Sequence, residues 1–303
     1  MVIACLTACS KPNDDPEQGI VVGNKEMQMY LLSFYDKNRD GILSKEEALS
    51  VTEISIPCST GPVKIVDGLE HFPNLEILSI SSCDNQYSSL DVSANQKLRE
   101  LYISWNKLKT LDLTRNPELE RIYCGNSELE FLNLGYKPKL IELGCVGKLN
   151  TLDLSGCYNL ITLSCRNNQL IELDVSNNPN LEWLDCGNNK FETIDVSNNL
   201  KLKILNCSGS SLLKSLDLSK NQELFELSID GNILMTEIDV SKNSKLESLL
   251  CRGVSTAAID VSNNLLLWQL FCSRNPNLAT VYLKAEQSIQ RLDKDVHTEI
   301  VYK

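Results

Sequence analysis

Between residues 36 and 47 the chain reads DKNRDGILSKEE, and oxygen-bearing groups fall at set intervals along it. Asp36, Asn38, Asp40, the main-chain carbonyl of Ile42, Ser44 (through a water) and Glu47 hold the first, third, fifth, seventh, ninth and twelfth positions. A hard cation such as calcium takes about six to eight oxygen ligands, and a twelve-residue loop of this pattern supplies them. Gly41 stands sixth, where the chain must turn sharply, and Leu43 follows as an apolar anchor. Asp36, Asp40 and Glu47 bring three carboxylates, enough charge to hold an ion available at roughly millimolar concentration. One Ca2+ is therefore the expected cofactor.

The pattern is that of an EF-hand loop. Met27, Tyr30, Leu31 and Phe34 recur before it at helical spacing, and Ser44 can cap a second helix over SKEEALSV. Sensor loops of this kind work in pairs. A single one is expected to fasten two short helices, residues 27–50, onto whatever follows.

Cysteine offers the other chemistry. Seven of the twelve, Cys124, Cys145, Cys165, Cys186, Cys207, Cys251 and Cys272, return about once every 21 residues, and Ile56, Ile80, Ile103 and Ile229 take the same place elsewhere. Interchange with isoleucine marks an apolar position, where a free thiol behaves as a small hydrophobe. Neighbouring strands put such side chains about 4.8 Å apart and parallel, whereas a disulfide needs Cβ atoms near 3.8 Å that face each other. A line of one ligand per rung cannot form a zinc tetrahedron. Reduced, buried thiols are expected, with Cys58, Cys83 and Cys157 unassigned in turns.

The element that spaces these cysteines is a repeat. From Leu75 to Leu267 its first leucine recurs at intervals of 20 to 23 residues, with the motif LxxLx(C/I)xxN followed by LD(V/L)SxN, after an opening 24-residue unit at Val51. This resembles the leucine-rich repeat. The expected fold is a mostly β member of the α/β repeat proteins, a right-handed solenoid of short 20–24-residue coils with a parallel concave sheet over residues 51–283. The EF-hand helices would cap its first coil. The segment 284–303 would cap the last, with Ile300 and Tyr302 closing the rung. The repeated Asp91, Asp112, Asp153, Asp174, Asp195, Asp217, Asp239 and Asp260 are expected to cap their own turns rather than form a cation strip. The asparagines of the two turns are expected because Asn tolerates unusual backbone angles and satisfies exposed main-chain groups.

The opening MVIACLTAC places Leu6-Thr7-Ala8 before Cys9, which resembles the signal of bacterial lipoproteins. By that resemblance residues 1–8 are a signal remnant, Cys9 is lipidated, and the acidic, proline-containing residues 9–26 are a tether. Asp14, Asp15 and Glu17 resemble the export signal of surface lipoproteins in Bacteroides-type bacteria. The membrane would be reached through the lipid anchor only, since no run is long enough to span it.

On the sheet's concave face the outward positions gather Tyr102, Arg121 and Tyr123, the pair Trp183 and Ile204, the pair Leu250 and Phe271, and Trp268. Exposed Trp, Tyr and Arg favour a protein or glycan ligand. A net charge of −11 opposes nucleic-acid binding. Only His71 and His297 are present, at opposite ends, and neither a P-loop nor GxGxxG occurs, so no enzyme is expected. Nearly the whole chain resembles leucine-rich-repeat surface lipoproteins of Bacteroides type, and its cysteine-bearing coils resemble those of an internalin. This implies a monomeric, surface-exposed outer-membrane binding or adhesion protein. An alternative is an envelope scaffold that binds a partner of the same cell, through the irregular flank at residues 133–158.

Overall fold

Leucine at alternate positions drives each repeat to bury one row of side chains that no single coil can cover. Stacking covers it. The computed structural model describes residues 19–57, 64–80, 87–125 and 128–303, so Cys9, the tether up to residue 18, Cys58 and Cys83 lie outside the described residues. Its main feature is a twelve-stranded, wholly parallel sheet running from Glu53–Ile56 (β1) through Ile77–Ile80 (β2) to Arg291–Lys294, one strand per coil. Register is kept rung by rung: Leu163 pairs with Leu184, Leu184 with Leu205, and Leu205 with Leu227. On the opposite wall, among the described residues, short parallel strands form only near Thr110–Asp112 and over Ala258–Tyr302. Elsewhere that wall is a succession of tight turns, as a coil too short for an outer helix requires.

The tail continues the solenoid instead of breaking from it. Leu292 pairs with Leu270, and Ile300 with Val281. Its period is intact, but Lys294 occupies the cysteine position and bonds to the carbonyl of Thr298 at 2.7 Å. Tyr302 is 60% exposed and closes nothing.

At the other end, helix Lys25–Tyr35 (α1) buries Met27 and Leu31. Phe34, expected inside, is exposed. The hydroxyls of Tyr30 and Tyr35 donate to the carbonyls of Ser55 and Glu53 on the edge strand β1, at 2.5 and 2.9 Å.

Two columns of asparagine hold the coils together by bonding to main-chain groups, as expected, but to buried ones and without unusual backbone angles. Asn95, Asn116, Asn178, Asn199, Asn221, Asn243 and Asn264 are fully buried. Each directs its amide N–H groups to two carbonyls, as Asn199 does to Val175 and Asn178 at 3.0 and 2.9 Å. A second column, Asn168, Asn189, Asn232 and Asn275, does the same beneath the cysteines. None of these asparagines has positive φ. The left-handed residues are their neighbours, such as Asn167 and Asn188, both at φ 54.

In the irregular coil the first column is broken by Lys137, which is 0% exposed and donates from Nζ to the carbonyl of Leu113 at 2.7 Å. Burial depresses its pKa below the usual lysine value, with Cys157 and Asp112 acting the other way. Between the folded and unfolded values the unfolded chain binds more protons. Stability therefore rises with pH through that window, and the full penalty stands below it. Lys137→Asn restores the column's own residue and is expected to stabilise by about 1 kcal/mol at neutral pH. The same change should flatten the alkaline rise in stability. Urea unfolding from neutral to alkaline pH reads both, and a destabilised variant would show that the lysine is needed.

Candidate ligand-binding face

The cysteines are a packing device. Cys124, Cys145, Cys165, Cys186, Cys207, Cys251 and Cys272 are free and buried, as is Cys157. Burial pushes the thiols of Cys124 and Cys207 up to about 12, so they are neither thiolates nor ligands at ordinary pH. The aspartate column is equally local. Asp91, Asp112, Asp153, Asp174, Asp195, Asp217, Asp239 and Asp260 each accept from the N–H of the residue two places on, at 2.9 to 3.0 Å. Those bonds hold the carboxyls of Asp91, Asp112, Asp153, Asp217 and Asp239 below the usual range.

What remains for function is the outward side of the sheet. Glu100–Ser104 (β3), Arg121–Gly125 (β4) and Glu142–Cys145 (β5) place Tyr102 beside Tyr123 and set Arg121 between Glu100 and Glu142. The two rings stack with centroids 5.5 Å apart and planes 8° from parallel. Tyr102 donates its hydroxyl to Glu100 Oε2 at 2.8 Å and Tyr123 to Glu142 Oε2 at 2.5 Å. Arg121 joins the other two oxygens, at 3.1 Å to Glu100 and 3.4 Å to Glu142. The result is a closed circuit, Tyr102–Glu100–Arg121–Glu142–Tyr123. Burial and then the carboxylate bonds raise both phenols to about 12, which keeps them as donors. Gly144 makes room for the second ring, because a Cβ there would lie 2.8 Å from Tyr123 Cδ1.

Further along, Trp183 and Ile204 are neighbours in register and half-buried. Beside Trp183, Asp185 is 5% exposed, and burial raises its pKa. Its bonds are loose, 3.3 Å from the N–H of Gly187 and 3.5 Å to Arg166. Leu250 and Phe271 also pair in register. The face of Phe271 is taken, however: the guanidinium of Arg252 lies 4.2 Å and that of Arg291 5.3 Å from its centroid. Trp268 stands just before its strand, Gln269–Cys272, and carries Arg291 at 5.9 Å. Trp105 (60% exposed) and the pair Tyr136 and Tyr158, hydroxyls 3.1 Å apart, were not among the expected ligand residues. Trp105 follows its strand in a left-handed turn, a place that alternation within strands does not mark.

The twelve-residue loop has the donor types that calcium needs. Asp36 accepts from the N–H groups of Arg39 and Gly41, Asn38 from that of Asp40, and Asp40 from that of Ile42. Each leaves oxygen lone pairs unused, and Gly41 makes the turn at φ 85. Glu47 differs. Its Oε1 accepts from the N–H groups of Lys37 and Asn38, and its Oε2 from the N–H and hydroxyl of Ser44. These bonds, led by that from Ser44, hold its carboxyl at about 2. Among the described residues no three His, Cys, Asp or Glu side chains are gathered as metal ligands. The set fits calcium in kind, with Glu47 committed to the main chain.

No family model matches the sequence, and no curated protein matches it. Among solved structures the chain is similar to the functional domain of InlJ from Listeria monocytogenes, which includes a cysteine ladder, at 25% identity over 80% of this chain and 69% of that one, TM-score 0.41. It is similar to an LRR protein of Leptospira interrogans at 19% identity, over 72% and 65% of the two chains, TM-score 0.57. It is also similar to the plant peptide hormone receptor RGFR1 in complex with RGF2, at 17% identity, TM-score 0.60, covering 80% of this chain and 46% of that one. The fold is the leucine-rich-repeat solenoid.

Proposed function

We propose that this leucine-rich-repeat solenoid is a non-enzymatic binding protein displayed on a bacterial outer membrane, lipidated at Cys9, and that its concave face holds a protein ligand in adhesion. The observation that carries the reading is the tyrosine circuit. An aromatic pair already stacked and hydrogen-bonded loses little conformational freedom on binding, and Tyr and Arg dominate interface hot spots. The plant receptor of the same fold is bound to a peptide hormone, which supports a polypeptide as the ligand. Asp36, Asn38, Asp40, Ile42, Ser44 and Glu47 would hold calcium, which supplies charge neutralisation to the loop that seats the helices on the first coil.

The test is capture from host mucosal extract and from the bacterium's own envelope, with Tyr123→Ala run beside the parent. A host protein whose affinity falls roughly thirtyfold in the variant, about 2 kcal/mol, is expected. Capture of own-envelope proteins alone would favour the scaffold reading. That second reading has an observation of its own: Tyr136 and Tyr158 lie exposed on the irregular flank.

A further inference from the structure

The column of left-handed turns that follows the concave strands changes character along the stack. It carries side chains at Trp105, Asn167 and Asn188, is glycine at Gly209, Gly231 and Gly253, and regains a side chain at Arg274. The glycines have φ of 71, 74 and 64. A Cβ on Gly209 would lie 2.0 Å from Asn188 Oδ1, the end of a side chain that has to turn aside to admit it. The other two have room, because a Cβ on Gly231 or Gly253 would touch only the preceding glycine, at 3.7 Å. Asparagine also tolerates this backbone, as Asn167 and Asn188 show. The turn alone does not require the bare backbone, and that backbone floors an open trough of about 670 Å³.

The walls of the trough are polar and already ordered. Arg252 reaches Asp293 at 2.9 Å and Asp230 at 3.3 Å while its guanidinium covers Phe271. Ser273 donates its hydroxyl to Asp293 at 2.7 Å. Asp230 and Asp293 balance Arg252 and Arg274, so the lining carries no net charge.

We propose that this trough binds a neutral oligosaccharide lying along the stack axis, with successive rings over successive glycine rungs. Sugar hydroxyls both donate and accept, and the walls alternate carboxylate acceptors with guanidinium and serine donors held in place beforehand. A ring can lie on exposed peptide planes where a side chain would hold it away. A polyanion would meet Asp230 and Asp293, a polycation would meet Arg252 and Arg274, and an apolar segment would find no apolar side chain in the lining. The site is separate from the tyrosine circuit and stands whether or not a protein binds there.

The experiment is an amide-resonance titration of the labelled protein with neutral tetrasaccharides of glucose, mannose, galactose and N-acetylglucosamine, and with a sulfated tetrasaccharide. At least one neutral sugar is expected to bind and to shift the amides of Gly209, Gly231 and Gly253. Gly231→Asn, which suits the left-handed turn but fills the floor, should weaken that binding roughly tenfold or more. Tyr123→Ala should leave it unchanged. If the asparagine unfolds the chain, Arg252→Lys reads the same loss, since lysine keeps the charge without the planar fork. Three results overturn the proposal: no neutral sugar binding tighter than about 10 mM, binding that these variants leave intact, or binding of the sulfated sugar alone.

Discussion

Asn199→Leu is expected to lower the unfolding free energy by about 2 kcal/mol, although the two side chains are close in size. The carbonyls of Val175 and Asn178 each accept one turn N–H, from Asn178 and Leu181 at 3.1 Å, and both take a second bond from the one amide nitrogen of Asn199. Leucine removes both second bonds in a place water does not reach, each worth about 0.5–1.5 kcal/mol, while the turn bonds to the two carbonyls remain. Removing Asn199 Oδ1, which is buried without a partner, offsets part of that. Asn199→Asp should be worse, since it loses both donors and buries a charge. Urea unfolding of both variants is the measurement. A loss under about 1 kcal/mol for leucine would mean that the column fills space and little more.

Calcium should raise the stability of the chain by about 2.7 kcal/mol at a hundredfold excess over its dissociation constant. Asp40→Asn should remove most of that gain while leaving the calcium-free protein within about 0.5 kcal/mol of the parent. The reason lies in the bonds: Asp40 Oδ1 accepts from Ile42 N–H at 2.8 Å, and an asparagine carbonyl can keep that bond while the charge is lost. Glu47 is a poor choice for the same test, because its four accepted bonds shape the loop without any ion. Thermal unfolding with calcium, magnesium or chelator decides the matter. A parent protein indifferent to all three would reduce the loop to a turn.

The solenoid was legible because leucine spacing is set by the coil, and the coil by burial. Rows of Leu, Cys and Asp repeated often enough to fix the strands and to foresee neutral, packed thiols and locally capped aspartates. The asparagine columns are visible as positions, and their bonding to the main chain follows from residue type, but a sequence shows recurrence and not which coil an amide points to. At the tail, Lys294 stands where a hydrophobe should, which hides the intact period from the sequence. On the concave face, Tyr102, Arg121 and Tyr123 came from strand alternation alone. Arg252 covering Phe271 and the bare glycine trough did not, because both depend on contacts across coils after the strands have ended.

The asparagine columns also have a direction. Asn199 reaches back to Val175 and Asn178, Asn221 to Val196 and Asn199, and Asn243 to Leu218 and Asn221. Every latch is carried by the later coil and closes on the earlier one. A chain emerging from the ribosome or through an export channel N-terminus first therefore meets, at each step, a finished template with its carbonyls waiting. The molecule is built like a ratchet: each rung added toward the C-terminus brings the latch that closes on the rung before it.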